Sequence, residues 1–309
     1  MIVTVTLNAA IDKRYEVEAM QTGAVNRVKN CRYGAGGKGL NVSRVAVIAG
    51  EAVTATGFAG GHTGKLLEEL AQKDGIKTAF VHTPGETRTC INIKDIRTGE
   101  QTEFLEGGEK VPPEKTAEME ERYRELLDRA DVITISGSVP QGVDGDIYVR
   151  MIEMAKEAGI PVLADTSGSL LPKCIEAGPT LIKPNQDEIE QLTQKKGMTR
   201  EEVRQAATCI RDQGVSYVVI SLGKEGSLMA APSGVYEAKV PLIDAVNTVG
   251  CGDSMLAGLA IGIRNHWEDA EILRYASAIS AANALQEATG FFVKSDFERL
   301  YEKIKIQEV

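Results

Sequence analysis

Five stretches of this chain run from β-branched residues into a small or polar end: "MIVTVTLN" at 1–8, "DVITISGS" at 131–138, "PVLADTSG" at 161–168, "TLIKPN" at 180–185 and "YVVISLG" at 217–223. Segments with helical patterning separate them, at 113–130, 145–158, 186–193 and 199–213. Strands that alternate with helices predict an α/β fold with a mostly parallel sheet covered on both faces. In such open sheets, ligands bind at the carboxyl ends of the strands. The small and polar endings therefore mark the edge where function is expected.

The remaining segments extend this frame. "GLNVSRVAVIAG" reads as a helix, "AVTATGFAGG" as a strand, and "TGKLLEELAQKDG" as an amphipathic helix closed by Gly75. "GSLMAAPSGVYEAKVP" reads as a hairpin, and the chain ends in helices at 253–265, 268–287 and 295–304. Two regions fit no covered layer. Residues 12–34 and 88–106 alternate polar with apolar residues, as strands wet on one face do. The second carries "RTGE" as its turn. These strands are expected to form a small separate sheet, a lid or a subunit contact, on a single domain spanning 1–309.

Charge narrows the partners. The formal net charge of the 309 residues is -9, which argues against a nucleic-acid or anionic-membrane partner, since both need a basic face. It does not exclude a phosphorylated small molecule, which local lysines and backbone amides can hold. The five cysteines (Cys31, Cys90, Cys174, Cys209, Cys251) contain no Cys-x-x-Cys pair, and the three histidines are scattered. No zinc site can be read from them. Reduced thiols, the absence of a basic-apolar leader and the lack of a long apolar run point to the cytoplasm.

Two glycine-rich words carry chemistry. "GAGGKG" at 34–39 matches Gly-x-Gly-x-x-Gly, but the segment before it is polar. Glu51 also precedes the second strand, whereas a dinucleotide site needs its acid after that strand. Neither Gly37-Lys38 nor Gly64-Lys65 completes a phosphate-binding Walker loop. Used differently, Gly36 and Gly37 bring backbone N–H groups near a hydroxylated ligand, with Lys38 and Asn41 beside them, as a sugar site requires. In "VNTVGCGDSMLAGLAIG" at 246–262, Gly250, Cys251 and Gly252 stand before an apolar helix. The free N–H groups and partial positive charge of a helix start attract anions. With Asp253 beside them, the word suggests a proton acceptor next to a phosphate. Alone, such an aspartate reads first as a plain helix cap.

Together, "GAGGKGLNVSRV" and "NTVGCGDSMLAG", in that order and far apart, resemble the ribokinase-like carbohydrate kinases of the phosphofructokinase B branch. "KPNQDE" resembles the Asn-x-x-Glu element of that family, and "SLGKEG" its nucleotide strand. "TLNAAID", "ETRTCINI" and "ADTSG" are similar to the sugar-phosphate kinases of the branch. The resemblance implies a three-layer ribokinase-like fold with a β lid, and an ATP-dependent kinase requiring Mg²⁺. Asp253 would be the catalytic base, with Gly250, Cys251 and Gly252 as the anion hole. Asn247 replaces the Asp common among relatives, as in the sugar-phosphate kinases. Cys251 reads as a size-compatible substitution.

The same resemblance implies roles for further residues. Asn185 and Glu188 would hold Mg²⁺ through water, and Lys183 would reach the phosphates. Ser221, Gly223 and Gly226 would border the nucleotide, with the helix around Asn283 over the adenine. Asp12 grips two sugar hydroxyls or is a turn carboxylate; Ser136 and Ser138 line the site or cap the next helix. Arg88, Lys38 and Arg27 are candidates for the phosphate already on the sugar, because basic groups, guanidinium above all, bind phosphate. The expected acceptor is tagatose 6-phosphate, with fructose 1-phosphate as the alternative, and a homodimer through the lid strands is an expected assembly. From another class, a non-catalytic sugar-phosphate-binding protein would have no need of Asp253.

Overall fold

The computed structural model describes residues 1–309. Strand β1 (Ile2–Thr6) leads into β2 (Ala10–Val17) and β3 (Val28–Gly36), then helix α1 (Lys38–Ala49), β4 (Val53–Gly60) and α2 (Gly61–Lys73). Two short strands, β5 (Lys77–Thr78) and β6 (Val81–Thr83), precede the hairpin β7 (Thr89–Asp95) and β8 (Gln101–Leu105). The alternating section follows: α3 (Pro113–Leu127), β9 (Val132–Ser136), α4 (Asp146–Glu157), β10 (Val162–Asp165) and α5 (Leu170–Ala177). It continues with β11 (Leu181–Ile182), α6 (Gln186–Thr193), α7 (Arg200–Arg211) and β12 (Tyr217–Ser221). The last part holds β13 (Ser227–Ala231), β14 (Gly234–Lys239), α8 (Cys251–Arg264), α9 (Asp269–Ala284), α10 (Lys294–Tyr301) and β15 (Lys305–Glu308).

The central sheet runs in the order β15-β14-β13-β12-β11-β10-β9-β1-β4-β5, with β6 on β4. From β12 to β5 every pairing is parallel. The β12–β15 edge is antiparallel. Period-2 alternation divides each strand between two cores. Ile2, Val132 and Leu163 pack with α1, α2, α8, α9 and α10, whereas Val3, Val5, Ile133, Ile135 and Ala164 pack with α3 to α7. The sheet is thus covered on both faces, as the alternation of elements requires.

The two polar hairpins form their own sheet, in the order β3-β2-β7-β8. They join through a parallel β2–β7 pairing that sets Asp12 opposite Cys90. Because β2 starts directly after β1, this sheet roots at the carboxyl edge of the central one. Helix α8 is buried on all sides from Asp253 to Ile263. Its glycines explain how: a Cβ on Gly258 would lie 2.6 Å from Ala276 Cα, and one on Gly262 would lie 2.8 Å from Ile272 Cγ1. These two positions let α9 approach closely.

The structure departs from the sequence reading mainly at boundaries. Helix α9 stops at Ala284, short of 287, because the chain must turn there to reach Asn247: Val246 and Asn247 donate their amides to Ala284 O. Helix α10 also stops short of 304, and residues 305–308 add the edge strand β15, too short to show a period. The two-residue β5 and three-residue β6 escape notice for the same reason.

Candidate active site

A cleft of about 760 Å³ lies between the small sheet and the carboxyl ends of the central strands. Its size suits a small-molecule site. The last residues of β10 and β12 and residues following β1 and β11 contribute to it, as do α1 and the start of α8. Asp12, Gly37, Lys38, Asn41, Arg88, Lys183, Asn185, Glu188, Ser221, Gly250, Gly252 and Asp253 all line this one space. Residues from distant parts of the sequence are therefore brought together.

At the start of α8, Gly250 occupies the cap position with φ 80°, a left-handed conformation suited to glycine. Asp253 lies a turn further in and makes no cap hydrogen bond. Its Oδ2 instead accepts from Asn41 Nδ2 at 2.8 Å. The amide of Cys251 is already donated to Thr248 O (3.3 Å). The amides of Gly250, Gly252 and Asp253 have no acceptor in the protein, so these, rather than that of Cys251, can receive an anion. Burial pushes the Cys251 thiol up, and Asn283 Nδ2 donates to its sulfur (3.4 Å). A protonated, packed thiol fits the size-compatible reading.

Of the charges beneath this turn, Asp165, Lys183 and Asp253 are buried and Lys38 is partly exposed. Asp165 ends β10 and lies 3.4 Å from both Lys38 Nζ and Lys183 Nζ. Burial, reinforced by the Asp165 charge, raises the Asp253 carboxyl to about 6, while Asn41, Lys38 and Lys183 pull the other way. Asp12 is likewise raised to about 6 by burial, against the lowering influence of Arg44 and Arg88. A carboxylate poised there, next to free amides, can take a proton from a hydroxyl while the amides receive negative charge.

Gly36 and Gly37 of the first word each have a packing reason, whereas Gly34 faces open space. A Cβ on Gly36 would fall 2.1 Å from Asp12 Cγ, so Gly36 makes room for that carboxylate. Gly37 has φ 111° and its Cβ would lie 2.8 Å from Thr6 Cγ2. Arg88 lines the cleft with its guanidinium held by Asn8 O (2.8 Å) and Glu106 O (3.1 Å). Asn185 and Glu188 face the cleft as a reciprocal capping box at the start of α6, each hydrogen bond 2.8 Å long. Glu188 spends one carboxylate oxygen there. No group of three His, Cys, Asp or Glu side chains forms a metal cage. This donor set fits a hydrated Mg²⁺ bound chiefly by phosphates.

Other expected residues lie elsewhere. Arg27 is exposed in the connection between β2 and β3, outside the cleft lining. Ser138 is exposed and accepts from Asn8 Nδ2 (3.1 Å). Ser136 is buried with an unpartnered hydroxyl, and neither serine caps α4, which begins only at Asp146. Gly223 and Gly226 form the turn after β12, where a Cβ on Gly226 would strike Ala238 O at 1.9 Å. Asn283 is fully buried, donating to Val249 O (3.1 Å) and accepting from Phe291 N (3.1 Å). It braces the loop before α8 and has no polar group left for a base.

Two functional features were missed in the sequence. Asp165 was visible only as an acid ending a strand, a signal shared by ordinary turn residues. Arg44 falls inside the first resemblance word, but nothing local gives it a role, because three of its four partners, Asp74, Ala35 and Thr289, lie outside its helix.

A parallel-rich sheet, a separate β sheet and a buried carboxylate beside a glycine-capped helix start define a sugar kinase site. The family description "pfkB family carbohydrate kinase" matches residues 5–295, and the chain belongs to that family. Phosphofructokinase-2 from Escherichia coli, in complex with substrates and products, is 29% identical with a TM-score of 0.92, over 98% of each chain. A "possible 1-phosphofructokinase" from Thermotoga maritima is 26% identical with a TM-score of 0.88, over 100% of this chain and 99% of that one. Ribokinase from Arabidopsis thaliana, at 20% identity and a TM-score of 0.76 over 97% of this chain and 98% of that one, shares the fold. The protein is thus an ATP-dependent sugar kinase of ribokinase-like architecture.

Proposed function

We propose that the protein phosphorylates a ketohexose phosphate to the 1,6-bisphosphate, with tagatose 6-phosphate as the acceptor. The observation that carries the chemistry is the buried Asp253 carboxylate beside the unengaged amides of Gly250, Gly252 and Asp253. Asp253 takes the proton of the free primary hydroxyl as that oxygen forms a bond to the γ-phosphorus. The bond from the γ-phosphorus to the β,γ-bridging oxygen breaks, and the amides receive charge on the transferred group. Lys183, under Gly252, and Lys38 supply the positive floor. Mg²⁺, when bound with the nucleotide, offsets phosphate charge, and Asn185 and Glu188 would hold it through water.

Asp12 holds sugar hydroxyls, with Asn41 beside it. Arg88 is the residue we assign to the phosphate already on the sugar, because it lies on the lid side of the cleft. Lys38 is paired with Asp165 at the base of the cleft and suits the transferred phosphoryl better. Arg27 stands outside this arrangement. We assign the adenosine part to the side bordered by Ser221. The whole of 1–309 acts as one catalytic unit, with 12–34 and 88–106 as its lid.

The acceptor is tested with a panel of tagatose 6-phosphate, fructose 1-phosphate and fructose 6-phosphate, assayed with ATP. The highest kcat/KM is expected for tagatose 6-phosphate; fructose 1-phosphate is the second reading, carried by the first glycine word. Turnover of none of these would favour a non-catalytic sugar-phosphate-binding protein. The lid strands also leave Val28, Tyr33, Phe104 and Leu105 exposed. A second copy pairing through that sheet is the assembly we propose, and sedimentation of the purified chain tests it. No helix is long and apolar enough to cross a membrane.

A further inference from the structure

Arg44 lies on α1, one turn beyond Asn41, with a side chain only 14% exposed. Its guanidinium reaches four segments. Nε donates to Asp74 Oδ2 (2.7 Å) at the end of α2, and the second terminal nitrogen donates to Ala35 O (2.6 Å) at the root of the lid. The first terminal nitrogen donates to Asn41 Oδ1 (3.0 Å) and Thr289 O (3.3 Å). Thr289 and Gly290 in turn pack against Gly250, where an added Cβ would lie 2.7 Å from Thr289 Cγ2.

The contact with Asn41 has a chemical consequence. An arginine offers donors only, so the amide atom facing it must be the oxygen. The amide nitrogen is then turned toward Asp253, whose carboxylate accepts from it at 2.8 Å. Were the amide reversed, its oxygen would meet the carboxylate oxygen and its nitrogen would meet a cation. We propose that Arg44 is a positioning residue for phosphoryl transfer, holding Asn41 in the orientation that fixes the Asp253 carboxylate. It also ties that arrangement to the lid root and to the loop behind Gly250. Lysine keeps the charge but lacks the fork that spans these acceptors. This inference rests on Asp253 being the base.

The test is a double-mutant cycle on the full chain, with ATP and the preferred ketohexose phosphate. Arg44→Lys is expected to lower kcat about 10- to 100-fold, the scale of a misplaced catalytic group, and to leave KM for ATP within about twofold. Asn41→Ala is expected to lower kcat comparably. In the Asn41→Ala background, adding Arg44→Lys should cost less than about twofold more, because the two act through one contact. Losses that multiply, or an unchanged kcat in Arg44→Lys, overturn the proposal. If Arg44→Lys does not fold, Asp74→Ala removes the Nε anchor from outside α1, and the same cycle applies to it. Asp253→Asn is run in parallel: normal turnover there removes the base assignment itself, whereas its loss together with multiplying Arg44 and Asn41 effects sinks only the positioning role.

Discussion

The carboxylate of Asp165 lies 3.4 Å from the ammonium of Lys183, and the two residues are only 2% and 4% exposed. A buried pair is stable only as a pair, since each charge alone has lost its water. Asp165→Asn should therefore destabilise the fold by about 3–5 kcal/mol, the range for breaking such a pair, measured by urea unfolding. It also removes a negative charge that raises Asp253. The acid limb of kcat/KM should move to lower pH; a limb that stays in place or moves up contradicts the electrostatic floor described here.

Activity should fall as pH drops through about 6, the value to which burial raises both Asp12 and Asp253. The base must be ionised to accept a proton. Stability responds with the opposite sign. Both carboxyls stand above their ordinary value of 3.8, so the native state binds more protons between about 4 and 6, and their contribution to stability grows as pH falls through that window. The loss of activity at pH 5.5 should thus reverse fully on return to pH 7.5. Irreversible loss accompanied by unfolding would contradict this assignment.

Asp253→Asn should lower kcat about 10²- to 10⁴-fold, the usual contribution of a positioned base. The amides of Gly250 and Gly252 remain, so nucleotide binding by calorimetry should stay within a few-fold of wild type. Loss of binding with retained turnover would reverse the roles.

Gly36→Ala places a methyl 2.1 Å from Asp12 Cγ. The carboxylate must shift, and KM for the sugar should rise at least about tenfold with kcat much less affected, because hydroxyl contacts are lost before the base is. Gly250→Ala should act in the other sense. Its φ of 80° and the 2.9 Å that an added Cβ would leave to Gly290 N oppose any side chain, so kcat should fall most. Steady-state kinetics of the two variants, side by side, separate the sugar end of the cleft from the phosphoryl end.

The layered order of the fold was legible in the amino acids because period-2 and 3.6-residue patterns are local and repeat over many turns. The glycine words were legible for a related reason: each is one contiguous turn with one steric task. Less visible was what a given polar residue touches. Asn283 sits on a helix near the cleft, yet its amide is consumed by Val249 O and Phe291 N. Arg27 has the chemistry for a phosphate and lies outside the cleft. Nothing within a few residues of either position distinguishes these outcomes.

Sequence alone determined the alternation of strands and helices, the separate polar sheet, the edge at which the cleft lies, and the pairing of Asp253 with a glycine-capped helix start. Each follows from residues adjacent in the chain. Tertiary structure alone decided that Asp165 lies between two lysines and that Arg44 orients Asn41. It also decided which amides of 250–253 remain free. Lys38 and Asp165 are far apart in sequence, and Arg44, though one turn from Asn41, is fixed by its anchors Asp74, Ala35 and Thr289 in other elements. Burial strengthens such charges and hydrogen bonds, and no local pattern encodes which distant partners a side chain will meet.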